Sequence, residues 1–204
     1  MKLILIRHAP TRYSAAGLFM GDKDIPPTRE GLEAARQLGR QLASLSDFNL
    51  LSSPLSRAFL SASAIFPGKP VRVREELRER GLGDWAGRSK SEIRRLSPQA
   101  FLPSGFLDPT FVPPEGEPLD QLQSRIRKFL SEVSLWSSSD CVVAVTHNGV
   151  IRLIRHFLES RPLEDTFAES EHYLSPRVYE RDGTGWRQLS PDEYIDGIRI
   201  DPSL

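Results

Sequence analysis

Two runs of consecutive apolar residues, Leu3-Ile-Leu-Ile6 and Val142-Val-Ala-Val145, each lead into a histidine: Arg7-His8 after the first and Thr146-His147 after the second. A strand with one wet face alternates apolar and polar residues. A strand that is apolar at every position is covered on both faces, the pattern of a parallel sheet sandwiched between helices. In an open α/β sheet the ligand crevice lies at the carboxyl ends of such strands. Arg7 and His8 therefore stand at a candidate site. Burying a guanidinium is costly without an anion to pair with it. These residues alone leave two readings open: Arg7 faces an anion, or it snorkels to solvent while His8 bonds to a loop.

The rest of the chain alternates strand and helix signals, which predicts an α/β fold with a mainly parallel sheet. Residues 12–27 lack periodicity, carry Gly17, Gly21, Pro26 and Pro27, and read as a long loop, a feature usually kept for function. Thr28 caps a helix with Leu32, Ala35, Leu38 and Leu42 at helical spacing. Asn49–Ser52 reads as a short strand, and Ser53-Pro54 as the start of a helix with Arg57 on its first turn. Val71–Arg74 alternates as a strand. Residues 77–88 form a glycine-containing loop, Ser89 caps a helix to Leu96, and 97–117 is irregular and proline-rich. Pro118 starts a helix with Leu122, Ile126, Phe129 and Val133 on one face. A further helix is predicted over Val150–Leu158, and a hairpin over Arg177–Glu180 and Trp186–Leu189.

Composition removes several function classes. Lys+Arg and Asp+Glu both number 27, so no overall field draws the chain to nucleic acid or an anionic membrane. No run approaches the roughly 20 apolar residues of a membrane span. The single Cys141 lies among valines and reads as a buried structural thiol; with no partner for an internal disulfide, it fits a reducing compartment. The N-terminus reads directly as a strand rather than a signal peptide, and a cytoplasmic location is expected. The 204 residues suit one domain, with a cap-like insertion around 77–117.

If the two buried strands are parallel neighbours, His8 and His147 meet at one sheet edge. Arg57, at a helix start just after a third strand, reaches the same edge. Two arginines, two histidines and helix N-termini make a pocket for a dianion. Arginine beside the histidines disfavours a cation, and the His and Cys spacings of zinc sites are absent, so no metal is expected.

At these residues the chain resembles the histidine phosphatase superfamily, the group that includes cofactor-dependent phosphoglycerate mutase. Leu5-Ile-Arg-His-Ala-Pro-Thr11 resembles its strand followed by Arg-His-Gly-x-Thr. Ile25–Ala35 resembles its Pro-Leu-Thr helix start, and Ser53-Pro-Leu-Ser-Arg-Ala58 its Ser-Pro-Leu-x-Arg-Ala. Leu77–Gly87, Glu115–Pro118 and Val145-Thr-His-Asn-Gly149 match three more of its motifs, in the family's order. The resemblance covers most of the chain and implies a three-layer α/β/α fold.

It also implies roles. His8 is the nucleophile and forms a phosphohistidine, its other nitrogen held by a backbone carbonyl. Arg7 and Arg57 hold the phosphoryl oxygens. His147 binds them too, as an imidazolium. Glu79 protonates the leaving alkoxide and then takes a proton from water. Ser14 stands where many members hold phosphate with Asn. The implied activity is a cofactor-free and metal-independent phosphomonoesterase acting on a small phosphate ester. In its length and loops the chain is most similar to α-ribazole phosphatases and broad-specificity relatives. The rivals are a phosphoglycerate mutase and a phosphate-binding module that has lost catalysis. Ala9, Pro10, Asn148 and Pro118 depart from the family pattern. His156 and His172 read as surface or structural residues, Trp85 as packing, and Arg80 as a solvated neighbour of Glu79.

Overall fold

A computed structural model describes residues 1–137 and 140–190. The last fourteen residues of the expected 1–204 domain lie outside it. The elements in chain order are β1 (Lys2–Arg7), α1 (Arg12–Ala15), α2 (Arg29–Gln41), β2 (Asn49–Ser52), α3 (Ser56–Ile65) and β3 (Val71–Val73). They continue with α4 (Lys90–Leu96), α5 (Leu119–Val133), β4 (Cys141–Thr146), α6 (Asn148–Glu159), α7 (Leu163–Phe167), β5 (Pro176–Arg181) and β6 (Trp186–Leu189). The six strands form one sheet in the order β3-β2-β4-β1-β5-β6. β3, β2, β4 and β1 run parallel, and the β5–β6 hairpin adds an antiparallel edge.

The unbroken apolar run in β1 has the consequence expected of it. Ile4 and Ile6 point into a core built with Ala35 and Leu38 of α2 and Ala58, Ala62 and Ile65 of α3. Leu3 and Leu5 point the other way, into a core with Leu122, Ile126 and Phe129 of α5 and Val150, Leu153 and Ile154 of α6. Successive strand residues face opposite sides, so one tetrapeptide feeds both layers. All four side chains are fully buried, which stabilises by roughly 2 kcal/mol each. Gly39 lets α2 and α3 touch: a Cβ there would lie 2.1 Å from the Ile65 carbonyl.

A third, smaller cluster sits apart. Leu82, Trp85, Ala86, Ile93 and Ala100 pack with Phe19 from the first loop. The Trp85 ring lies between Phe111 and Phe19, at centroid distances of 5.3 and 6.1 Å. The irregular segment 77–117 is thus folded on its own aromatic nucleus, and Trp85 is the packing residue its composition suggests.

Two local expectations are corrected. The stretch 12–27 is not all loop: Thr11 caps α1, with its side chain on Ser14 N. α3 begins at Ser56 rather than at Pro54, because the chain bends through Ser53–Leu55. The carboxylate of Asp24 reaches across from the first loop to accept from Ser56 N at 2.7 Å.

Candidate active site

Strand register brings the site together. Arg7 pairs with Thr146 and Ser52 with Val145, so the residues after three adjacent strands emerge side by side. His8 N donates to the Thr146 carbonyl at 2.9 Å and Ser53 N to the Val145 carbonyl at 3.1 Å, extending the ladder one step. The His8 and His147 rings lie 5.1 Å apart, both buried.

His8 Nδ1 sits 2.7 Å from the carbonyl of Ala9. A carbonyl only accepts, so Nδ1 carries the proton and Nε2 keeps its lone pair. Burial pushes the His8 pKa well below the ordinary histidine value, Arg57 and Arg7 add to that, and the Ala9 carbonyl opposes them. The departure from glycine at Ala9 costs no backbone strain, because Ala9 is not among the described residues with positive φ. Its amide donates to Ser61 Oγ at 2.9 Å.

Arg57 is fully buried and held on all sides. Nη1 and Nη2 donate to the carbonyls of Lys23 and Gly21, each at 2.7 Å, and Nε donates to His147 Nδ1 at 3.2 Å. The first loop thus holds the arginine. His147 Nδ1 accepts, so its proton sits on Nε2, which donates to Ser53 Oγ at 2.7 Å. Burial lowers the His147 pKa well below the ordinary value, with Arg57, His8 and Arg7 adding to it. In this geometry the expected imidazolium is a neutral imidazole: burial disfavours its charge, and an arginine donates to Nδ1.

Arg7 is stacked on Tyr173, its guanidinium carbon 3.6 Å from the ring centroid. Nη1 donates to the Glu171 carbonyl at 2.6 Å and to Ser170 Oγ at 3.3 Å, while the buried Nε has no acceptor. Asn148, another departure from the family pattern, accepts from Glu171 N at 2.8 Å and so anchors this segment. Arg155 and Arg177 hold the Glu171 carboxylate at 2.7 and 3.0 Å.

Glu79 lies under the start of α6. Its Oε2 accepts from Gly149 N at 3.3 Å and its Oε1 from Arg80 N at 3.0 Å. A Cβ at position 149 would stand 2.6 Å from Oε1, so glycine is what lets the carboxylate approach. Arg7, Glu79 and Gly149 line one cavity of about 310 Å³, walled by Phe19, Phe101 and Phe106.

The structure separates the remaining candidates. Ser14 Oγ donates to the Thr11 carbonyl at 2.6 Å and accepts from Thr11 N at 2.8 Å, so this hydroxyl is committed to the cap of α1. Its proton reaches a phosphoryl oxygen only after leaving the Thr11 carbonyl. Arg80 is buried, not solvated: it donates to the carbonyls of Glu117, Pro109 and Phe111, each at 2.9 Å, and stitches segment 77–117 together. His156 donates through Nδ1 to the Arg161 carbonyl at 2.6 Å, and His172 is exposed; neither belongs to the site. The reading of residue types overlooked Ser53, Tyr173 and the 170–171 segment. Ser53 lay within a quoted motif, but the contacts of Tyr173 depend on a register between distant strands that no local pattern encodes.

Arg7 and Glu79 line the cavity, and the neutral His8 and His147 lie buried beside Arg7 and Arg57, a set of donors whose chemistry suits a phosphoryl group. The comparisons agree with that class. A model of the histidine phosphatase superfamily (branch 1) matches residues 3–192. An adenosylcobalamin/α-ribazole phosphatase of Salmonella typhimurium is 28% identical over 156 residues, 76% of this chain and 77% of the relative. A 2,3-bisphosphoglycerate-dependent phosphoglycerate mutase of Rhizobium etli is 31% identical over 187 residues, 87% of this chain and 89% of the relative. The solved structure of Bacillus stearothermophilus YhfR superposes with a TM-score of 0.83 at 26% identity, covering 98% of each chain. The chain belongs to the histidine phosphatase superfamily, and its enzyme class is phosphoric monoester hydrolase. Among the described residues no helix is long and apolar enough to cross a membrane.

Proposed function

We propose that this protein hydrolyses a small phosphate ester through a phosphohistidine at His8, within a single domain whose segment 77–117 caps the site. The observation that carries the reading is the Nδ1–H bond of His8 to the Ala9 carbonyl, which leaves Nε2 bare beside the arginines. Nε2 attacks phosphorus in line with the ester oxygen, and the P–O bond to the alcohol breaks. Arg7 and Arg57 neutralise the equatorial oxygens, and His147 shares with one of them the Nε2–H that rests on Ser53 Oγ, work that a metal performs in other phosphatases. Glu79 gives its proton to the departing alkoxide. The resulting carboxylate takes a proton from a water, whose oxygen attacks the phosphohistidine and releases inorganic phosphate. His8 returns neutral and the cycle closes. Ser14 keeps its structural task on Thr11.

Glu79 at the cavity wall supports hydrolysis over a binding module, which has no use for a leaving-group acid. The test is phosphate release with EDTA present from para-nitrophenyl phosphate, α-ribazole phosphate and 3-phosphoglycerate, the last two suggested by the names of relatives. Release from at least one ester supports the proposal, and isomerisation of 3-phosphoglycerate without release assigns the chain to the mutases. A folded protein silent on all three contradicts it.

A further inference from the structure

The cavity holds more positive charge than one phosphoryl group uses. Its lining includes Arg7, Arg80, Lys90, Arg94 and Arg152 against a single carboxylate, Glu79. Arg80 and Arg94 are bonded to uncharged carbonyls, which fix them without cancelling their charge. Arg152 differs from both. It is only 5% exposed, forms no ion pair among the described residues, and its Nε and Nη2 are buried without any acceptor. Its guanidinium carbon lies 4.7 Å from the Phe106 ring and 5.4 Å from the Phe167 ring, both in the cavity wall. Burial pulls its pKa down to about 10; Glu79 and Glu171 oppose that, Arg7 and Arg155 favour it. Lys90, also in the wall, is lowered by desolvation and by the nearby charges of Arg7 and Arg152.

A buried cation without a bonded partner costs stability: Glu79 and Glu171 act on Arg152 only through space, whereas Arg155, three residues on, is paired with Glu159, Glu169 and Glu171. Nε and Nη2 share one edge of the guanidinium, the edge that binds a carboxylate through two parallel N–H···O bonds. Phe19, Phe101 and Phe106 in the same wall suit an apolar or aromatic body between the two charges.

We propose that Arg152, assisted by Lys90, is a specificity residue that receives a carboxylate on the alcohol side of the substrate. Building on the phosphatase reading, this makes the preferred ester one with a carboxylate and an apolar body on its alcohol portion. An ester whose only anion is its phosphate leaves Arg152 unused, α-ribazole phosphate included.

The test compares 4-(carboxymethyl)phenyl phosphate with 4-methylphenyl phosphate. The methylene insulates the ring, so the leaving groups are matched and only the carboxylate differs. Wild type should show kcat/KM at least tenfold higher on the carboxylated ester. Arg152→Met should lower kcat/KM on that ester at least tenfold more than on its neutral partner, and Arg152→Lys should restore part of the preference. Arg152→Met should also melt no lower than wild type, because it removes an uncompensated buried charge. Hydrolysis of both esters with equal kcat/KM, or an equal loss on both in Arg152→Met, overturns the carboxylate assignment while leaving the phosphatase reading intact. A folded wild type that hydrolyses neither ester overturns the carboxylate assignment; phosphate release from para-nitrophenyl phosphate or α-ribazole phosphate by the same preparation keeps the phosphatase reading, and silence there as well fails both.

Discussion

Arg57 Nε donates to His147 Nδ1 at 3.2 Å, and this bond fixes both the tautomer and the charge of the second histidine. A protonated His147 has no lone pair on Nδ1 to accept it. The two buried histidines and two buried arginines therefore coexist because the histidines are neutral.

That neutrality has a signature in pH. The folded pKa values of His8 and His147 lie well below the ordinary histidine value, mainly through burial. The unfolded chain takes up these protons near pH 6.5, while the folded chain refuses them. Their contribution to stability is complete above pH 6.5 and is lost as pH falls below it, by about 1.4 kcal/mol per pH unit for each histidine. Urea unfolding at pH 7.5, 6 and 5 should show this slope, and His8→Asn should flatten it by about half. Slopes that match in both proteins count against neutral burial.

The same shift sets the activity profile. His8 attacks only when neutral, so the acid limb of kcat/KM should fall well below pH 6.5 once ionisation of the ester is corrected for. A limb at or above 6.5 contradicts the assignment of His8.

Glu79 acts on the leaving group, and its value depends on how poor that group is. Glu79→Gln should cost roughly 10²–10⁴-fold on alkyl phosphates and far less on para-nitrophenyl phosphate, whose phenolate leaves unaided. Gly149→Ala should produce a milder version of the same pattern, because the new Cβ would stand 2.6 Å from Glu79 Oε1 and push the acid aside. Equal losses on both ester types would remove Glu79 from this role.

Arg80 holds the cap rather than the substrate. Arg80→Met strands three carbonyls between Pro109 and Glu117. The expected cost is about 3 kcal/mol after partial rehydration. Hydrogen exchange should quicken over residues 106–117 and leave the amides of β1 and β4 unchanged. Uniform acceleration across the chain would show that the cap is not a separate unit.

Much of this was legible in the residues. The two apolar runs announced strands covered on both faces, and their histidine ends met as expected because parallel pairing aligns strand termini. Thr28, Ser89 and Pro118 marked their helix starts through local chemistry. Arg80 was misread because its acceptors are carbonyls about 30 or more residues away, and a carbonyl acceptor leaves no trace in residue identity. Ser14 carries a local bond that its identity did not announce: its hydroxyl donates to the carbonyl of Thr11, three residues back, so the cap of α1 competes with the phosphoryl site for it. The charge on His147 could not be read at all, since it depends on burial and on which atom of Arg57 faces the ring.

The proposed mechanism turns on the passage of the phosphoryl group through His8. The direct measurement mixes enzyme with para-nitrophenyl phosphate, quenches in alkaline denaturant within a single turnover, and maps phosphorylated peptides by mass spectrometry. The expected result is a phosphoryl group on His8, absent in His8→Ala, whose turnover falls roughly 10⁴-fold while its fold persists. A phosphoryl group on another residue, or unchanged turnover in His8→Ala, would contradict it.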